Sequence, residues 1–174
     1  NIDQLIIVVP QKWVKKIQSE NKKHIVIPGG ANRKDSSYLG LKKCPENTQN
    51  VLIHDSARPF VQTELIDSCI ANLINHDAVI VSLKATDTIM KVSNNMIVNI
   101  EDRDTLFLNQ TPQGFKYHII LDAHKNMKTM KTDDISLINL NENKCMILEG
   151  SSYNIKITNP EDLRLAESII KTNK

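Results

Sequence analysis

The sequence predicts an α/β fold: a doubly wound sheet, mostly parallel, with helices on both faces and one antiparallel hairpin leaving it. Three observations lead there. Short continuous apolar runs recur, as in Leu5-Ile6-Ile7-Val8-Val9, Ile25-Val26-Ile27 and Val51-Leu52-Ile53, the pattern of strands buried on both faces. Stretches of helical apolar spacing alternate with them, which makes βαβ units. And 174 residues, 40% hydrophobic and 24% charged, suit one globular domain rather than a disordered chain.

Each element has its own signal. Residues 3–10 hold the first strand, and Trp13, Val14 and Ile17 then share one helix face. A second strand over 24–27 stops at Pro28-Gly29-Gly30, and a helix opens over 36–41. The third strand is 51–54, and Thr63 is the expected N-cap of a helix running from 64 to 75. A fourth strand covers 78–83. Residues 88–92 and 96–100 alternate around Ser93-Asn94-Asn95. Asparagine tolerates positive φ, so these two segments read as a hairpin. Helices are expected over 115–127 and 134–140, and strands over 145–149 and 153–157. The last helix is signalled most fully, with Asn159 as N-cap, Pro160 at the first helical position and Glu161 and Asp162 in the first turn. Leu163, Leu165, Ala166, Ile169 and Ile170 supply its expected buried face. Neither an internal repeat nor an interdomain linker interrupts residues 1–174, so they read as a single domain.

Composition excludes several classes. The 22 basic and 20 acidic residues leave a net charge of +2, too little for a phosphate-tracking nucleic-acid surface. No apolar run approaches the roughly 20 residues that span a bilayer, and there is no charged-then-apolar leader. The five glycines form neither a GxGxxG nor a GxxxxGK loop. Cys44, Cys69 and Cys145 are odd in number and widely spaced, which reads as small buried hydrophobes in a reducing compartment.

The uncommon residues fall at strand ends. Arginine occurs only at 33, 58, 103 and 164, and the first three follow strand-like runs. In open α/β sheets ligands bind at the carboxyl ends of strands, so these three are either solvated charges or an anion site. Asp55 ends a buried strand, where a carboxylate either holds Mg²⁺ through a hard oxygen or caps the following turn. Ser36 either caps a helix or places that helix N-terminus at a phosphate or ribose. Lys156 lies between apolar neighbours and points either to solvent or to a ligand.

Six blocks together resemble one family: Pro28-Gly29-Gly30-Ala31-Asn32-Arg33-Lys34-Asp35-Ser36, His54-Asp55-Ser56-Ala57-Arg58-Pro59, Asp87-Thr88-Ile89, Gln110-Thr111-Pro112-Gln113, Thr132-Asp133-Asp134, and the terminal run from Asn154 to Leu163. In order and spacing the chain is similar to 2-C-methyl-D-erythritol 4-phosphate cytidylyltransferases. The resemblance implies a dimeric, Rossmann-like three-layer αβα fold that joins CTP to methylerythritol phosphate and releases pyrophosphate. It implies nucleotide contacts at Gly30, Ser36 and Ser56, and Mg²⁺ at Asp55. Arg58, Thr88, Thr111 and Thr132 match positions around the sugar phosphate, and Arg103 with Lys156 matches the pair that positions the attacking phosphate. Residues 86–104 resemble the family's dimerisation arm, which reaches into the neighbouring subunit. No nucleic acid or membrane partner is implied. The compartment implied is the bacterial cytoplasm, or a plastid-type organelle in a eukaryote.

The family's N-terminal strand and Gly-rich loop find no counterpart in these residues, an expectation that would leave this stretch alone nearly inactive. Two rivals stand beside the main reading. One is a ribitol 5-phosphate cytidylyltransferase, against which Asp102-Arg103 and Thr132-Asp133-Asp134 weigh; the other is a non-catalytic homologue that binds or dimerises.

Overall fold

The computed structural model describes residues 2–126 and 133–172. Among these residues eight strands and five helices follow one another as β1 (Ile6–Val9), α1 (Val14–Glu20), β2 (Ile25–Pro28), α2 (Arg33–Leu41), β3 (Asn50–Ile53), α3 (Thr63–Asn72), β4 (Ala78–Lys84), β5 (Met90–Ser93), β6 (Met96–Ile100), β7 (Phe107–Lys116), α4 (Tyr117–Asn126), β8 (Cys145–Glu149) and α5 (Pro160–Thr172).

β1 and β2 pair in parallel, and a four-stranded sheet has the order β3-β7-β4-β8. In that sheet β3, β4 and β8 share one direction while β7 runs against both its neighbours. Alternation along β4 builds the layers. Ala78 and Ile80 join Leu41 of α2 and Ile120 of α4 in one core cluster; Val79 and Val81 join Cys69 and Leu73, at the end of α3, in the other. Helices therefore cover both faces, as the period-2 pattern of a fully buried strand requires. β5 and β6 form the expected hairpin, with Asn94 and Asn95 at φ 48° and 62°, the backbone of a two-residue type I′ turn.

The structure corrects five element assignments. Residues 107–116, which carry no strand signal, form the longest strand, β7, and the helix expected from 115 begins only at Tyr117. The expected helix over 134–140 is a single 3₁₀ turn, Asp134–Leu137. Residues 153–157 join no sheet; their course is set by Asn154 N–H donating to Ser151 O and Ile157 N–H to Ala57 O. Thr63 is the first residue of α3, and Gln62 occupies the N-cap without a side-chain bond. On α5 only Ala166 and Ile169 are buried, while Leu163, Leu165 and Ile170 stand about half exposed. Its N-terminus is as expected: Asp162 N–H donates to Asn159 Oδ1, and Asp162 Oδ2 accepts from Thr158 and Asn159. None of the described helices is long and apolar enough to cross a membrane.

Candidate active site

The loops at the ends of β2, β3 and β8 meet. Asp55 is two residues beyond β3, Arg33 opens α2 just past β2, and Lys156 lies between β8 and α5. Arg33 Nε lies 3.1 Å from Asp55 Oδ1 and Lys156 Nζ lies 2.8 Å from Asp55 Oδ2. Burial by itself would raise the Asp55 carboxyl, but the Lys156 hydrogen bond and the Arg33 charge outweigh it and hold it below the usual carboxylate range. Asp55 is thus an ionised strand-end carboxylate with one cation on each oxygen.

The approach to α2 is shaped by close packing. Asn32 caps the helix, its side chain accepting from Asp35 N–H. Ser36 is therefore not the cap: its Oγ donates to Asn32 O at 2.9 Å and accepts from Gly30 N–H at 3.1 Å. A Cβ on Gly30 would collide with Asp35 Cβ, so clearance by itself is enough to require glycine at this turn.

Behind Asp55, β7 supplies the support. Asp55 N–H donates to Thr111 Oγ1 at 3.0 Å, and Thr111 Oγ1 lies 3.0 Å from His54 Nδ1. The other ring nitrogen, Nε2, is 3.0 Å from the Arg58 carbonyl. A carbonyl only accepts, so neutral His54 carries its proton on Nε2 and accepts a hydrogen bond from the Thr111 hydroxyl on Nδ1. Desolvation lowers the His54 pKa, which keeps it in that neutral form. Arg58 donates from Nη1 to Asn154 O at 2.7 Å, and the fully buried Asn154 donates to Thr111 O at 2.8 Å.

The structure thus brings Asp55, Arg33, Lys156, Thr111 and Arg58 into one connected network and sets Gly30 and Ser36 at its edge. Ser56 is exposed in the turn after Asp55. Thr88 and Arg103 stand apart, exposed at the base of the hairpin, where Arg103 Nη1 donates to Thr86 O at 3.1 Å. Thr132 lies outside the described residues. Sequence reasoning does not single out His54 and Asn154 as site residues, although both sit inside the blocks that carry the resemblance; Asp134 and His124 are further members, described below. Among the described residues no three metal-ligating side chains gather.

The strand-end loops bring two cations onto one ionised carboxylate, at the edge of the sheet where open α/β proteins bind their ligands. The chain belongs to the 2-C-methyl-D-erythritol 4-phosphate cytidylyltransferase family, whose profile matches residues 1–172. It is 39% identical over 184 aligned residues to the enzyme of that name from Clostridioides difficile strain 630, covering 100% of this chain and 77% of that one. Among solved structures, 4-diphosphocytidyl-2C-methyl-D-erythritol synthase from Anaerococcus prevotii superposes with a TM-score of 0.90 at 29% identity, over 98% of this chain and 79% of that one. The cytidylyltransferase from Thermus thermophilus gives 0.86 at 26% identity, over 98% and 84%.

Proposed function

We propose that this protein transfers a cytidylyl group from CTP to 2-C-methyl-D-erythritol 4-phosphate, a step of isoprenoid biosynthesis. The observation that carries the reading is Asp55 held between Arg33 and Lys156 at the strand ends, on a chain whose whole matched length belongs to that family. In the reaction a phosphate oxygen of the sugar alcohol attacks the α-phosphorus of CTP. One P–O bond forms, the bond to the β-phosphate breaks, and pyrophosphate leaves. Such transfers need positioning and charge neutralisation more than a covalent nucleophile.

Two polyanions must approach each other. Lys156 is 42% exposed and has one carboxylate partner, so an arriving phosphate can compete for its ammonium. Gly30, Ser36 and Ser56 line the nucleotide side in this reading, while Arg58, Thr88, Thr111 and Thr132 serve the sugar phosphate. Arg103 and Thr88, on the hairpin, reach a site through a homodimer, in which a second copy receives the arm. The arm suits that role because Met90, Val92, Ile97 and Ile100 are all about half exposed or more.

Asp55 fits a divalent cation such as Mg²⁺: it is ionised, its oxygens are hard donors, and among the described residues each has a single cation partner. Bound there with the nucleotide, such an ion would neutralise triphosphate charge. The compartment this reading implies is the bacterial cytoplasm, in keeping with three free cysteines.

Pyrophosphate release tests it. With Mg²⁺ and CTP, methylerythritol phosphate should support turnover and ribitol 5-phosphate should not. The reverse preference would make the protein a pentitol enzyme, and no release by the full-length protein with either substrate would leave a non-catalytic homologue.

A further inference from the structure

The polar network does not stop at Asp55. Arg33 also donates from Nη1 to Asp134 Oδ2 at 2.6 Å, and Asp134 is 1% exposed. The second Asp134 oxygen lies 3.1 Å from His124 Nε2. His124, from α4, is itself buried and stacks on Tyr38 of α2, with ring centroids 5.8 Å apart and planes within 7°. A chain of four side chains therefore runs from the helix layer to the strand end: His124, Asp134, Arg33, Asp55.

The two cations on Asp55 are consequently unlike. Lys156 is a point charge on a flexible stem with one carboxylate partner among the described residues. The Arg33 guanidinium is shared between two carboxylates, one of them buried. Drawing Arg33 away toward a substrate phosphate would leave Asp134 as a buried charge without its main counterion, which the interior strongly disfavours. The rigid guanidinium also presents different N–H groups to the two acids, so it fixes their relative orientation.

Resting on the cytidylyltransferase reading, we propose that Arg33 is a positioning residue and not a phosphate ligand. It pins Asp55 through Oδ1, so that Oδ2 is the oxygen offered to a divalent cation once Lys156 moves to a phosphate. Asp134, backed by His124, keeps Arg33 in that place. Partners of this kind, one step behind a metal-binding carboxylate, orient it and tune its affinity.

The test compares wild type, Arg33→Lys and Asp134→Asn. Mn²⁺ stands in for Mg²⁺, and its binding in the presence of CTP is followed by the paramagnetic resonance of free Mn²⁺. CTP binding is measured separately in chelator, and kcat and KM from pyrophosphate release. A lysine at 33 keeps the charge but cannot bridge both acids. Both variants should bind Mn²⁺ at least about tenfold more weakly, lose kcat, and keep the wild-type affinity for CTP in chelator. Loss of metal-free CTP affinity with Mn²⁺ binding retained would make Arg33 a phosphate ligand and overturn the proposal. So would normal Mn²⁺ binding by a folded Asp134→Asn protein. If that variant does not fold, Arg33→Lys, altered at a partly exposed side chain, decides alone. Wild type that turns over while both variants hold Mn²⁺ normally sinks only the positioning role; wild type that binds no CTP sinks the functional reading and this inference with it.

Discussion

Lys156 Nζ lies 2.8 Å from Asp55 Oδ2, so the loop that precedes the last helix is tied to the end of β3 by an ion pair. The pair is half exposed on the lysine side and sheltered on the aspartate side, with side-chain exposures of 42% and 16%. An exposed pair of this type adds little to stability. In the proposed reading its value lies in poising an ammonium beside the carboxylate until a phosphate arrives.

Lys156→Ala should therefore spare the fold and damage the chemistry. We expect kcat to fall by roughly 10²–10³, the usual cost of one charge-stabilising donor, with thermal stability near wild type. Steady-state pyrophosphate release and a melting curve check it. Unchanged turnover would remove Lys156 from the reaction.

Acid should loosen the site from within. Burial would raise the Asp134 carboxyl, but the His124 hydrogen bond and the Arg33 charge outweigh it and hold its folded pKa low; Asp55 is lowered likewise. An acid depressed in the folded state stabilises above its unfolded pKa of about 3.9 and loses that contribution as pH falls through the lower folded value. Urea midpoints should thus stay level from neutral pH to about 5 where these two groups are concerned, then drop. Asp134→Asn should lower the neutral midpoint and flatten the acid drop; an equally steep drop in the variant would acquit Asp134.

Gly30→Ala separates clearance from ligand contact. The new methyl meets Asp35 Cβ and, at 3.1 Å, the Asp35 carbonyl carbon. Such overpacking costs about 1–3 kcal/mol, to be read from urea denaturation without any nucleotide. A variant with full stability and weakened CTP binding would show that the residue acts on the ligand instead.

The hairpin carries the assembly prediction. Val92 pairs with Ile97 and Met90 with Ile100 across the two strands, and all four are exposed. Ile97→Asp should shift sedimentation from dimer toward monomer and lower turnover, because Arg103 travels on the same arm. A monomeric wild type would refute the arm's role.

Legibility is uneven along the chain, and the pattern has a cause. Apolar strands such as β1, β2 and β4, the capped end of α5 and the Asn94-Asn95 turn are legible, because hydrophobic periodicity and turn chemistry are local properties. β7 is not. Gln110-Thr111-Pro112-Gln113-Gly114 is polar and holds a proline, yet Gln110, Thr111 and Gln113 are buried. Partners distant in sequence satisfy them: Gln110 donates to Ser151 O, and Gln113 Oε1 accepts from Ile135 N–H. Pro112 falls where the β4–β7 register shifts between Ile80 and Ser82, so its missing N–H breaks no ladder bond. The exposed side of α5 is likewise invisible, since periodicity locates an apolar stripe but not what it meets.

By itself, then, the sequence determined the α/β class, the hairpin and the residue blocks that mark the family, all of which rest on neighbours along the chain. Only the tertiary structure decided that Arg33 spans two carboxylates, that Thr111 and His54 carry the Asp55 backbone, and that Asn154 is buried beneath Arg58. Those relationships join residues up to 101 positions apart. No local propensity encodes them; they exist because a buried charge or amide must find a partner wherever the folded sheet brings one within reach.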